Sequence, residues 1–199
     1  MKNAQMIMSW VAVSLTGILR SQIVKVVNIG KNLKMRKNRI VFLDIDGVLN
    51  SEQWYVNNPL EITASQIDSN AVKLLNQLRG ASVVVTSSWG EDGGKTTEAL
   101  EMHGLKLPII GYTKKVHYQH EWACRGNEIE EWIRRTYKGM GTMWGNEYPD
   151  EKYEYVILDD DQDMLLGQAN HFIRVDRKTG LTQEDIKKAK KILRYDICN

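Results

Sequence analysis

Residues 38–50 read Asn-Arg-Ile-Val-Phe-Leu-Asp-Ile-Asp-Gly-Val-Leu-Asn. Residues 40–43 (IVFL) form an unbroken apolar run, the pattern of a strand buried on both faces rather than one with a solvated side. The run stops on two aspartates, Asp44 and Asp46, followed at once by Gly47. A carboxylate two residues after another brings both to the same rim, while the side chain between them turns away. Gly47 permits a tight turn that carries backbone amides toward an anion.

The same grammar recurs along the chain. Residues 83–85 (VVV) end in Thr86-Ser87-Ser88-Trp89, and residues 155–158 (YVIL) end in Asp159-Asp160-Asp161-Gln162-Asp163. Residues 107–110 make a further strand, weakened by Pro108 and so placed nearer an edge. Residues 172–175 make a short fifth. Helical signals fall between them. Residues 63–66 (TASQ) resemble a capping box, and Ile67, Ala71, Leu74, Leu75 and Leu78 follow at helical spacing up to Gly80. Residues 95–103 form a short helix closed by Gly104. Asn127 and Glu130 give a second capping signal, after which Ile129, Trp132, Ile133 and Tyr137 line one face. Thr182 caps a last helix with acids in its first turn and lysines later, an order that suits the helix dipole. Strands alternating with helices imply an α/β fold: a three-layer, doubly wound parallel sheet with right-handed crossovers. In such sheets ligands sit beyond the carboxyl ends of the strands, where these acids and hydroxyls lie.

The whole chain has 199 residues, with 42% hydrophobic and 26% charged. That suits one domain with an appendage and excludes fully disordered, collagen-like and coiled-coil classes. Two cysteines, Cys124 and Cys198, cannot build a disulfide framework, so a cytoplasmic location is expected. The net charge of +2 conceals an asymmetry. Residues 1–39 carry Lys2, Arg20, Lys25, Lys31, Lys34, Arg36, Lys37 and Arg39 and no acid, whereas residues 40–199 hold 19 basic and 25 acidic residues, a net −6. Residues 1–37 read as a basic extension, helical or poorly ordered, and residues 38–199 as the folded body. The extension's apolar segment, residues 6–19, is short for a membrane span. An arm of this kind is expected to be accessory, with membrane or nucleic-acid contact as alternatives. The acidic body argues against a stable nucleic-acid complex there.

Acids packed on one rim repel unless a cation or a proton joins them. Hard oxygen ligands favour Mg²⁺, which also accepts phosphate oxygens. VFLDIDGVLN, VVVTSSW and YVILDDDQDM, in this order on these elements, resemble the haloacid dehalogenase (HAD) superfamily of phosphatases. The SSW after the second strand and the late GLT (180–182) are similar to the small HAD domains associated with RNA-repair and phage proteins. The resemblance implies a Rossmann-like HAD fold and a Mg²⁺-dependent phosphomonoesterase. In it Asp44 is the nucleophile, and Asp46 is the acid that protonates the leaving group and then activates water. Asp44, the Asp46 backbone carbonyl and Asp159 hold the metal, assisted by Asp160 or Asp163. Thr86 or Ser87 binds the transferring phosphoryl group beside Gly47, and Arg125 neutralises its charge. Lys95, Lys114 and Lys115 are rivals for the role of Arg125.

The blander readings are specific. Strand-end aspartates also form turns and cap helices. The histidines lack zinc spacing, although His117 and His120 lie near the expected rim. The GEDGGKTT stretch around Lys95 lacks the GxxxxGK spacing of a P-loop. Trp54, Tyr55, Trp89 and Trp144 pack or, alternatively, stack a base. Between the motifs only residues 51–62 are spare, so no full cap domain fits. An open rim admits large substrates, and the resemblance tilts them toward nucleotides or nucleic-acid ends. The alternatives are a phosphotransferase using the same aspartyl intermediate and a binding module that keeps the fold without catalysis.

Overall fold

In the computed structural model, residues 38–59, 66–118, 121–137 and 153–195 are described. The chain divides into two units, Met1–Arg36 and Lys37–Asn199, and every described residue belongs to the second. The basic extension, residues 63–65 of the capping box, His120 and Trp144 lie outside the described residues.

Strands β1 (Asn38–Leu43), β2 (Ala81–Val85), β3 (Ile109–Tyr112), β6 (Tyr153–Asp159) and β7 (Phe172–Arg174) form one sheet, in the order β3-β2-β1-β6-β7. Every pairing within it is parallel. A separate antiparallel pair joins β4 (His117–Tyr118) to β5 (Glu121–Trp122). The helices are α1 (Glu52–Asn57), α2 (Ser69–Leu75), α3 (Gly93–Met102), α4 (Arg125–Tyr137) and α5 (Gln183–Ile192).

The period-2 geometry of a strand explains why the central runs are apolar throughout. Val41 and Leu43 of β1, Val83 and Val85 of β2, and Val156 and Leu158 of β6 pack into one cluster with Val72 and Leu75 of α2, Leu100 of α3 and Ile186 of α5. The intervening Ile40, Phe42, Val84 and Ile157 face the opposite layer, with Ile129 and Ile133 of α4. Two hydrophobic layers therefore sandwich the sheet, as the doubly wound reading requires.

Boundaries moved where local capping outweighed the apolar pattern. α2 begins after Asp68, whose carboxylate accepts from the Asn70 amide, rather than after Thr63. α4 starts at Arg125, so Asn127 is inside the helix rather than its cap. β3 begins beyond Pro108, at Ile109, because proline has no amide to give a ladder. The cap of α5 falls where the sequence placed it: the Thr182 hydroxyl accepts from the Asp185 amide at 3.3 Å, and the Asp185 carboxylate accepts from the Thr182 amide at 3.1 Å. The spare segment after β1 carries α1, capped by Ser51. No helix among the described residues is long and apolar enough to cross a membrane.

Candidate active site

The strand order reverses at β1. From β1 the chain moves outward to β2 and β3 and then returns to place β6 on the other side. The crevice at such a reversal, beyond the carboxyl ends, is where open α/β sheets bind ligands. Register fills that crevice. Leu43 pairs with Val85 on one side and Leu158 on the other. The next residue on each strand is Asp44, Thr86 and Asp159. The Asp44 amide donates to the Leu158 carbonyl at 2.9 Å, and the Thr86 amide to the Leu43 carbonyl at 2.8 Å. The three side chains are thus level with one another.

Asp44, Asp159 and Asp160 each offer a carboxylate oxygen, and these lie within 4.8 Å of one another. All three residues are buried. One oxygen of Asp159, Oδ2, has no hydrogen-bond partner, and neither does the buried Thr86 hydroxyl. Burial raises the Asp159 carboxyl from 3.8 to about 7, with the neighbouring Asp44 charge adding to it. Burial likewise raises Asp44 to about 6, against the pull of the Arg125 guanidinium, the Ile45 amide and a hydrogen bond from Ser87. A cluster of desolvated, mutually repelling carboxylates with an orphaned oxygen suits a hard divalent cation.

Arg125, the first residue of α4, reaches into this cluster. Its guanidinium stands 4.0 Å from Asp44 Oδ1 and 3.7 Å from Asp159 Oδ2. Glu128, one turn along and buried, accepts from Arg125 Nη1 at 3.0 Å and fixes the guanidinium's direction. Burial raises the Glu128 carboxyl, and Arg125 opposes that rise. Gly126 follows in tight quarters, where an added Cβ would lie 2.4 Å from the Leu165 amide nitrogen. Among the rivals, Lys95 is exposed and pairs with Asp92 at 2.7 Å. It also belongs to α3, the layer on the opposite face from α4.

Asp46 stands outside the carboxylate cluster. Its Oδ1 accepts from Asn50 Nδ2 at 2.9 Å and its Oδ2 from Trp89 Nε1 at 3.0 Å. The carboxyl is thereby held by one donor from its own turn and one from beyond β2. Gly47, at φ +76°, closes that turn, and its amide donates to the Asn50 carbonyl at 3.0 Å and to Asn50 Oδ1 at 2.9 Å. The Gly47 amide is therefore committed within the turn rather than offered to an anion. What glycine supplies here is room, because an added Cβ would meet Asp160 Oδ2 at 2.5 Å. Ser87, expected beside the phosphoryl group, caps the turn that carries Trp89, accepting its amide at 3.4 Å.

Asp160 and Asp163 diverge. Asp160 joins the cluster and accepts from Arg177 Nε at 2.5 Å. Asp163 Oδ2 instead accepts from the Arg125 amide at 2.8 Å, serving the start of α4. Asn50, Glu128, Arg177 and the indole of Trp89 had no assigned role here from sequence. Glu128 was signalled by its i+3 spacing from Arg125. Arg177 reaches Asp160 from beyond β7, a contact with no local signal.

A family model described as the HAD domain in Swiss Army Knife RNA repair proteins matches residues 40–186. No curated protein and no solved structure gives a match. The matched span begins within β1 and ends within α5, so it holds all of the sheet but the first two residues of β1, and every residue gathered at the switch point. The chain belongs to the HAD domain family of Swiss Army Knife RNA repair proteins.

Proposed function

We propose that this domain is a Mg²⁺-dependent phosphomonoester hydrolase working through an aspartyl-phosphate, with phosphate at a nucleic-acid end as its substrate class. The observation that carries the reading is the meeting of Asp44, Asp159 and Asp160 within 4.8 Å, with Arg125 alongside. Asp44, Asp159 and Asp160 would hold the cation, together with the Asp46 carbonyl. Bound there, it would neutralise charge on the phosphoryl oxygens and remove the repulsion among the carboxylates.

The chain's own groups divide the remaining work. An Asp44 carboxylate oxygen attacks phosphorus, and the ester P–O bond breaks. Asp46, oriented by Trp89 and Asn50, gives its proton to the departing oxygen. It then takes a proton from water, whose oxygen attacks the aspartyl-phosphate and releases inorganic phosphate and free Asp44. Arg125 and the unpartnered Thr86 hydroxyl are placed to bind the equatorial oxygens, whose charge must be met in the transition state. The description of the matched family, which concerns RNA repair, supports the substrate class. So does the absence of a cap domain among the described residues.

The test is phosphate release with Mg²⁺ and with EDTA, comparing the unmodified chain with Asp44→Asn. The panel holds an aryl phosphate, mononucleotides, and oligonucleotides phosphorylated at the 3′ or 5′ end. Mg²⁺-dependent release that disappears in the variant, and is fastest on oligonucleotide ends, is the expected result. Equal release by the variant would refute Asp44 as nucleophile. No release from any substrate, with Mg²⁺ bound, would favour a binding module.

A further inference from the structure

A second charged feature lies at the other end of the sheet. Arg79 precedes β2 and Lys106 precedes β3, so both stand at the amino ends of parallel strands whose carboxyl ends form the rim. With Lys73 on α2, His103 at the end of α3 and Lys190 on α5, they line an open cavity of about 1010 Å³ whose lining contains no Asp or Glu. Lys73 and Lys190 meet only neutral partners there, Asn70 Oδ1 at 3.3 Å and Gln77 Oε1 at 3.4 Å. Among the described residues none of Lys73, Arg79, Lys106 and Lys190 forms an ion pair. Several cations elsewhere on the surface do find acids: Lys187 pairs with Glu184, Lys188 with Asp185, and Arg134 and Arg135 with Glu131. Gly80 and Gly104, both at positive φ, leave open space where a side chain would stand.

Unpaired cations in a concave, acid-free site, on a body of net negative charge, indicate an anionic ligand. A single compact phosphate is better held by convergent backbone amides at a loop or helix start. Four long side chains spread around a wide cavity instead suit successive phosphates of an extended chain. We propose that this cavity binds the sugar–phosphate backbone of single-stranded RNA, away from the end presented to Asp44. Net charge averages over the whole body, which is why the sequence argued against such a footprint. The proposal rests on the phosphatase reading for the end that is processed, and its test separates the two.

The probe is a fluorescein-labelled single-stranded RNA of about 20 nucleotides, longer than the ~4–16 that one small groove tracks. Binding is read by fluorescence polarisation in Mg²⁺ across a salt series, using the full chain carrying Asp44→Asn. Adding Lys73→Ala, Arg79→Ala, Lys106→Ala and Lys190→Ala together should weaken binding roughly tenfold or more. It should also flatten the log Kd against log salt slope by about 3, for four lost phosphate contacts. Lys187→Ala with Lys188→Ala, on the same helix as Lys190, should change neither. With Asp44 restored, the fourfold variant should hydrolyse an aryl phosphate at the unmodified rate, so loss of catalysis and loss of RNA binding are read independently. Should the fourfold variant fold poorly by its unfolding midpoint, Lys106→Glu alone carries the same expectation with a smaller slope change. Unchanged affinity and slope would overturn the proposal, placing RNA binding elsewhere on the chain. Displacement of the RNA by inorganic tripolyphosphate at equal phosphate concentration would also overturn it, in favour of a site for compact anions.

Discussion

Replacing Asp159 by asparagine should stabilise the metal-free protein while removing its affinity for Mg²⁺. Burial and the Asp44 charge lift the Asp159 carboxyl from 3.8 to about 7 in the folded state. That elevation corresponds to a ceiling of about 4 kcal/mol against folding once the group is ionised. Because the folded-state value is raised, the two forms are equal below the unfolded value near 4. The cost grows as pH rises from about 4 to about 7 and is complete above that. Asparagine carries no charge and keeps an oxygen to accept the Asp161 amide, now held at 3.0 Å by Asp159 Oδ1. Its new amide hydrogens need partners in a buried site, which returns about 1–3 kcal/mol. The net expectation at pH 8 is about 1–3 kcal/mol of added stability, or roughly 2–12 °C in Tm for a domain of this size. Urea unfolding in EDTA at pH 8 and at pH 4 measures it. The gain should appear at pH 8 and give way at pH 4 to a deficit of about 1–3 kcal/mol, the amide cost alone, and Mg²⁺ should raise the midpoint of the unmodified protein only. A variant less stable at pH 8, or shifted equally at both pH values, would refute the picture of Asp159 as a buried charge whose desolvation outweighs the pull of Arg125.

Arg125→Ala should lower kcat on an aryl phosphate by about 10²–10³, the usual loss for one donor at developing charge. The same variant should weaken the EDTA-treated protein above pH 7, since the guanidinium opposes the elevation of both Asp44 and Asp159. Trp89→Phe removes the indole bond to Asp46 Oδ2 and should lower kcat about tenfold with little change in unfolding midpoint, checked by steady-state kinetics beside calorimetry. Gly126→Ala places a Cβ 2.4 Å from the Leu165 amide nitrogen. It should cost about 1–3 kcal/mol in urea unfolding and should disturb Arg125 enough to reduce turnover.

Much of this was legible in the chain because burial on two faces leaves a continuous apolar signature. β1, β2 and β6 announce themselves that way, and their ends supply Asp44, Thr86 and Asp159. The elements that periodicity missed are the ones that bury little: α1 has no buried residue, and β4 and β5 are two residues each. Residue types alone could not separate Asp160 from Asp163. One sits where Arg177, from beyond β7, reaches it, and the other where the first turn of α4 needs an acceptor. Those assignments depend on chain segments that meet only after folding. Gly47 shows the same limit, since its backbone freedom was readable but the neighbour filling its missing side chain was not.

The placement of Arg125, rather than Lys95, beside these carboxylates follows from counting along the strands. In β1, Ile40 and Phe42 face the α4 layer, while Val41 and Leu43 face the layer of α2, α3 and α5. Continuing the alternation sends Asp44 toward α4. Val84 places Thr86 on that side by the same parity, and Ile157 places Asp159 there. The first turn of the helix covering that face is therefore well placed to supply a cation to these groups, because the carboxyl ends of the strands lie there. Arg125 is the first residue of that helix, whereas Lys95 belongs to a helix packed on the other face. A one-residue register slip in β6 would turn Asp159 away from Arg125 while exchanging its core contacts between layers. Core packing and site geometry thus share one alternation, and a sequence that keeps the two apolar layers in register also keeps positions 44, 86 and 159 on the face that α4 covers.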